Sequence, residues 1–145
     1  MPNLSFNYLA IVVSIFMSFA FSGLWYGPLF GKRWAQLMGI KMDKKVDCKL
    51  PKLSVCLQLL GTVLTVYVLA YEVQIWRPSV WGVGMDKCAC TYGLCAGLFT
   101  WLGFYVPMML GTVAWERRPW KLFLLNATYN FLNLQMIAGI LANWR

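Results

Sequence analysis

The sequence predicts an all-α integral membrane protein with four transmembrane helices, and two observations lead to this prediction. Apolar residues make up 60% of the 145 residues and aromatic residues 17%, while charged residues make up only 12%. Most of the charges lie in short stretches between long apolar segments. A chain this small cannot bury so many apolar side chains in an ordinary core, so lipid is the expected solvent. We treat residues 1–145 as a single four-helix transmembrane domain.

Each of the four apolar segments has about the 20 residues or more that are needed to cross the hydrocarbon of a bilayer. The predicted spans are residues 4–30, 53–76, 89–115 and 120–142. The first span carries no charge and lacks the basic start and short apolar region of a signal peptide, so we expect it to be retained.

The first span predicts a packing face and a kink. Ser14, Ser18 and Ser22 recur at every fourth position, and such a stripe of small residues lets another helix approach closely. Pro28 leaves the carbonyl of Leu24 without its helical donor, so we predict a kink or a helix end there.

The second and third spans each predict one local feature. Glu72, the only ionisable group inside the second span, lies about one turn from its end, which suits an interfacial carboxylate with Arg77 as candidate partner. In the third span, Gly93 and Gly97 form a GxxxG packing step. Pro107 would clash with the carbonyl of Gly103, which predicts a second kink.

The fourth span carries a polar face that has two interpretations. Asn126, Tyr129, Asn130 and Asn133 share one narrow face at 100° per residue, and Gln135 points roughly opposite. The amides can form hydrogen bonds between helices, which is the interpretation we favour, or line a hydrated path. Because polar residues lie on both sides, we expect this helix to have partners on both sides, which suggests an oligomer or a larger complex.

A charged turn separates the third and fourth spans. We expect its residues to complement the negative end of the third helix, to contact lipid phosphate and to anchor the turn at the membrane surface. The residues of this group are Glu116, Arg117, Arg118, Trp120 and Lys121.

The distribution of Lys and Arg predicts the orientation. The first and third loops hold ten of these residues and the other side three, so both basic loops should be cytoplasmic and both termini outside. The formal charge of +8 is then explained by loops held on the cytoplasmic side, and not by nucleic acid. We favour a solvated loop that sets the topology, and binding of anionic lipid headgroups is the other interpretation. Residues 25–29 resemble residues 104–108, which is compatible with two parallel helical hairpins.

Few residues in this sequence could support catalysis. The chain has no histidine, no paired carboxylates and no phosphate-binding glycine loop, so we predict that it is not an enzyme and needs no cofactor. Cys88, Cys90 and Cys95 crowd the start of the third span. A soft-metal site is one interpretation of this cluster, but its spacing matches no standard zinc pattern, and we favour packing.

Two short sequence motifs lie in these segments. The first is WYGP at 25–28 followed by FGK at 30–32, and the second is WLGF at 101–104 followed by ERRPWKLF at 116–123. Together they resemble a family of small membrane proteins catalogued as domain of unknown function 1761. Arg117 stands where that family pattern leads us to expect Gly. The resemblance implies four transmembrane helices and mostly bacterial occurrence, and it brings no established activity.

These observations predict a protein that acts through interactions. We expect a homo-oligomer or an accessory subunit of a larger membrane complex, in a bacterial inner membrane or, alternatively, an organelle membrane. Its expected partners are the bilayer, anionic lipids, and other subunits or copies of itself. The alternative function is a transporter or channel that passes a small polar solute or ion along the Asn-lined face of the fourth helix.

Overall fold

The computed structural model describes residues 6–40 and 52–144, and all regular elements in these ranges are helical. We number the α-helices in chain order: α1 (Tyr8–Leu24), α2 (Gly31–Leu37), α3 (Lys52–Ile75), α4 (Pro78–Trp81), α5 (Ala89–Thr100), α6 (Val106–Ala114) and α7 (Trp120–Asn143). Most of the predicted basic segment, residues 41–51, lies outside the described residues, as do residues 4 and 5 of the first predicted span.

Three of the predicted spans are helices long and apolar enough to cross a membrane. They are Tyr8–Leu29 with 22 residues, Lys52–Ile75 with 24 and Ala89–Ala114 with 26. α7 also has 24 residues, but it does not belong to this set. The reason is its polar content, because three asparagines and a glutamine between Asn126 and Gln135 lower its hydropathy.

α1 and α5 each continue into a π-helical turn, at Trp25–Leu29 and at Trp101–Tyr105. In such a turn an amide bonds to the carbonyl five residues earlier, as Phe30 N does with Trp25 O at 2.9 Å. Pro28 lies inside the first turn, and Pro107 follows the second by two residues. Because proline has no N–H, it breaks the regular ladder, and the structure places a π-helical turn beside each proline for which a kink was predicted.

α7 forms the centre of the bundle although it is the least apolar of the long helices. Nine of its 24 residues are buried, and α1, α3 and α5 pack around it. The core joins α3 to α7 through Val66, Leu69, Leu134 and Ile137, with Ala96 from α5. The polar helix is thus the one that the other three helices cover.

The two ends of the bundle differ in their loops. One end holds α2 and the charged turn at 115–119, and we refer to it as the turn end. The other end holds α4 and the loop that follows it, and we refer to it as the Arg77 end. α6, which runs toward the turn end, contains no buried residue, and neither does the π-helical turn before it.

Candidate functional site

Polar side chains of α1 and α7 meet in the half of the bundle nearer the turn end. Tyr26 donates its hydroxyl hydrogen to Asn126 Oδ1 at 3.0 Å, and Ser22 and Tyr129 are joined by a hydrogen bond between their hydroxyl groups. Asn130 Nδ2 donates to the backbone oxygen of Asn126 at 2.8 Å. Three of the four residues predicted to form the polar face therefore make hydrogen bonds within the chain.

Asn133, the fourth member of the predicted polar face, lies deeper in the bundle. It is only 8% exposed, and its Oδ1 has no hydrogen-bond partner among the described residues. The antiparallel register set by Ser22 and Tyr129 places Ser18 level with Asn133 and Ser14 one turn further along. Ser14 and Ser18 are fully buried, and Ser14 Oγ also has no described partner. A buried unpaired oxygen is uncommon and costs free energy, so this region is a candidate site for water or a small ligand.

The opposite face of α7 packs against α5. A Cβ placed on Gly93 would lie 2.8 Å from the carbonyl oxygen of Ala138, and one placed on Gly97 would lie 3.0 Å from the amide of Gln135. The GxxxG step is therefore used inside the chain. Gln135 does point away from the asparagine face, but α5 of the same chain covers it. Gln135 therefore gives no argument for a second subunit.

The charged turn is held by local contacts. Arg118 Nε lies 3.5 Å from Glu116 Oε2, and Arg118 N donates to Thr112 O at 3.2 Å. Arg117 has a left-handed backbone with φ +55°, a conformation that glycine adopts more easily. Trp115 and Trp120 are both exposed, as is expected of side chains that anchor a turn at a membrane surface.

A cleft of about 270 Å³ lies between the first π-helical turn and the start of α7. Trp25, Phe30 and Leu124 give it apolar walls, while Arg33 and Lys121 stand at it with exposed side chains. Neither cation forms an ion pair with a carboxylate of the described residues. Sequence reasoning placed Lys121 among the lipid contacts but did not bring Arg33 to the same place.

Arg77 is a structural residue whose role sequence reasoning missed. It is 2% exposed, its Nη2 donates to the carbonyl oxygen of Ala142 at 2.5 Å, and its Nη1 lies 3.8 Å from Asp86 Oδ2. A cation is favoured at this position because the last carbonyls of a helix lack helical partners and carry negative partial charge. The expected pairing of Arg77 with Glu72 is wrong. Glu72 instead accepts a hydrogen bond from Thr100.

Of the cysteines near the start of α5, Cys88 and Cys90 lie close together, and the three described thiols do not form a metal site. Cys88 precedes α5, Cys90 Sγ lies 3.8 Å from the side-chain amide of Asn143, and Cys95 is half-buried. In the part of the chain that the structure describes, no group of three His, Cys, Asp or Glu side chains could hold a metal ion. The backbone N–H of Cys90, followed by the Cys90 side chain and the Thr91 N–H, lowers the pKa of the exposed Cys88 thiol.

Comparisons with known proteins identify a family and no function. Neither the curated proteins nor the solved structures give a significant match to this chain. A family model described as "Protein of unknown function (DUF1761)" matches residues 9–142, which include all of the long helices except Tyr8 and Asn143 at their ends. With nearly its whole length matched, the chain belongs to this family of proteins of unknown function.

Proposed function

We propose that this chain is a non-catalytic membrane protein with four transmembrane helices, which works by assembling with other helices. The position of α7 supports the fourth span. α7 contacts the second π-helical turn, where Trp101 Nε1 donates to Ala127 O at 2.9 Å, and it contacts α5, where the Asn143 side chain lies 3.8 Å from Cys90 Sγ. Because α7 packs against three apolar helices, we expect it to cross the membrane with them. Its hydropathy can be lower because Asn126, Tyr129 and Asn130 form hydrogen bonds within the bundle.

We infer that the turn end faces the cytoplasm and that both termini face outside. The first and third loops hold ten Lys and Arg residues and the other side holds three, and this difference supports the orientation. A bacterial inner membrane is the proposed location, in keeping with the family resemblance, and an organelle membrane is the alternative. A membrane-impermeant maleimide added to intact cells should then label the exposed Cys88. If Cys88 were labelled only after lysis, the orientation would be the opposite of the one proposed.

The observation that carries the assembly function is the exposure of α6, whose main contact with another helix of the chain is with α7. Residues 101–114 include no buried residue, although they form half of a helix long and apolar enough to cross a membrane. A Cβ on Gly103 or Gly111 would have no atom within 4 Å. Small residues allow helix backbones to approach closely in lipid, so this surface fits a helix from another subunit. A second copy would give a homo-oligomer, and a different protein would make this chain an accessory subunit.

Native mass spectrometry from a mild detergent tests the assembly. We expect the wild-type chain to occur as a discrete oligomer or hetero-complex, and Gly111→Leu to shift the mass to the monomer. Gly23→Leu is the matched control, because Gly23 on α1 also has open space around it and lies on another helix. A monomeric wild type, or equal effects of the two variants, would reject the proposal.

Anionic lipid is the proposed partner at the turn end. The cleft beside Arg33 and Lys121 combines apolar walls with two cations, which is the chemistry of a site for a lipid with a phosphate headgroup. Retention of phosphatidylglycerol over phosphatidylcholine through purification should fall in an Arg33→Gln/Lys121→Gln variant. It should persist in a Lys87→Gln variant, which loses a cation at the Arg77 end.

The second candidate function is transport of a small polar solute or ion along the asparagine face of α7. The unpaired oxygens of Asn133 and Ser14 favour it, because buried polar atoms without partners can form hydrogen bonds with a polar guest. Flux into proteoliposomes tests this alternative. If Asn133→Leu abolishes flux and leaves the native mass unchanged, transport replaces assembly as the main function.

A further inference from the structure

Glu72 is the one acidic residue in the four long helices, and it lies half-buried on α3. A carboxylate in a membrane-spanning helix is costly unless it is paired. Its Oε2 accepts a hydrogen bond from Thr100 Oγ1 at 3.0 Å. No Lys or Arg nitrogen in the described ranges lies within 4.0 Å of its oxygens. The charge of Glu72 is therefore matched only by a neutral hydroxyl.

The single hydroxyl hydrogen of Thr100 has two possible acceptors. Besides Glu72, its Oγ1 lies 2.7 Å from the carbonyl oxygen of Ala96, one turn earlier on α5. This bond to the preceding turn is the usual choice of a threonine inside a helix. A hydroxyl can donate only once, so whenever Thr100 bonds to Ala96 the carboxylate loses this donor. Glu72 has the acceptor capacity to bind a further group.

A cleft of about 310 Å³ opens beside Glu72, between α3 and the second π-helical turn. Glu72 and Thr100 line it together with a second polar pair, Thr65 and Tyr105, whose hydroxyl oxygens are 3.3 Å apart. The remaining lining is apolar and includes Phe104, whose side chain is 67% exposed. The cleft therefore offers one carboxylate within walls that are otherwise suited to lipid or to an apolar ligand.

We propose that this cleft binds an organic cation with an apolar body, such as a quaternary ammonium that carries an aromatic or alkyl substituent. The carboxylate supplies charge complementarity, and the rings of Phe104 and Tyr105 attract a cation to their faces. Apolar walls disfavour a hydrated metal ion, which needs several oxygen ligands. An apolar cation can partition into the bilayer and enter from the side. The site shares Phe104 and Tyr105 with the exposed surface of residues 101–114, while Glu72 and Thr100 lie on α3 and α5. It rests on the proposed membrane position of these helices.

Isothermal titration calorimetry of the purified protein in a nonionic detergent tests the site, with benzyltrimethylammonium as the probe. We expect saturable binding to the wild type and at least tenfold weaker binding to Glu72→Gln, which keeps the size of the side chain. Glu72→Asp keeps the charge and should bind more tightly than the Gln variant. Glu116→Gln is the matched control, since it removes a carboxylate from the exposed turn and should leave the affinity unchanged.

Three results would overturn the proposal. The first is no binding to the wild type, and the second is equal affinity of the wild type and Glu72→Gln. The third is displacement of the cation by neopentylbenzene, its uncharged carbon counterpart, at equal concentration. Native mass spectrometry of the same samples separates this proposal from the assembly function, because loss of cation binding in Glu72→Gln should leave the mass of the assembly unchanged.

Discussion

The two halves of the third apolar helix carry glycines at helical spacing and use them differently. In α5, a Cβ on Gly93 would stand 2.8 Å from the carbonyl oxygen of Ala138, so the glycine permits close contact with α7. In the π-helical turn and in α6, a Cβ placed on Gly103 or on Gly111 would have no atom within 4 Å. Spacing of small residues thus indicates that a helix can be approached closely, and the neighbouring elements decide whether the partner comes from the same chain.

The largest expected effect comes from disrupting the contact between α7 and α5, which is the packed half of the third apolar helix. Gly93→Ala would force the backbones of α5 and α7 apart, because a carbonyl oxygen cannot move aside as a side chain can. We expect the free energy of unfolding to fall by about 1–3 kcal/mol, the usual cost of overpacking a tight contact. Titration with a denaturing detergent in mixed micelles measures it. An unchanged midpoint would contradict the close contact between α5 and α7.

The same substitution in α6, the open half of the third apolar helix, should change the free energy of unfolding in the opposite direction. In a detergent that isolates the monomer, Gly111→Ala should raise the free energy of unfolding by about 0.4–1 kcal/mol, because alanine lowers the entropy of the unfolded chain and has space in the helix. Under conditions that preserve the assembly, the gain should disappear or reverse. A loss of stability in the isolated monomer would show that α6 is packed inside the chain.

The sequence predicts these helices better than it predicts their partners. Three apolar helices and the two interruptions near Pro28 and Pro107 follow from composition and from the missing N–H of proline. These are local properties, so they can be deduced without knowledge of the tertiary structure. Which residue meets which across the bundle depends on tertiary register, and helical periodicity does not contain that information.

Arg77 and Gln135 illustrate this limit. Arg77 follows Glu72 by five positions, which places them about 140° apart on an ideal helix, and Pro78 then starts a new element. The carboxylate that reaches Arg77 comes instead from Asp86, after the loop has turned back. Gln135 did predict a second contact face on α7, but sequence could not tell that α5 would cover it.

The turn that joins the open half to α7 offers a third test. Arg117 adopts φ +55°, which costs an L-residue roughly 1–2 kcal/mol relative to the right-handed region. Since glycine adopts this conformation freely but has more entropy when unfolded, we expect Arg117→Gly to stabilise the monomer by about 0.5–1 kcal/mol. Arg118→Gly, at the next position in the same turn, is the control and should not stabilise. Thermal unfolding followed by circular dichroism distinguishes the two variants.

Polar contacts between α1 and α7 should contribute less than the glycine contact. Tyr129→Phe removes the hydroxyl that bonds to Ser22 and leaves the aromatic packing in place. Hydrogen bonds between helices in membranes are worth about 0.6 kcal/mol on average, and we expect a loss of that size. A Tyr129→Phe/Ser22→Ala double variant should lose little more than either single variant. Additive losses would mean that the two hydroxyls act independently.

The smallest effect, a change in reactivity without a change in stability, is expected where the packed half begins. Hydrogen bonds from the Cys90 N–H and its neighbours favour the thiolate of Cys88 and lower the pKa of the thiol. Because only the thiolate is alkylated, a variant that keeps Cys88 as its sole cysteine, with Cys90→Ser to retain a hydrogen-bond donor, should react half-maximally with iodoacetamide below the usual thiol pKa of about 8.5. The same variant unfolded in denaturing detergent, where α5 no longer orients these donors, should react with a midpoint at the ordinary value. Equal midpoints in the two states would mean that the folded chain does not hold these donors beside Cys88. The start of α5 would then not be ordered as the structure describes it.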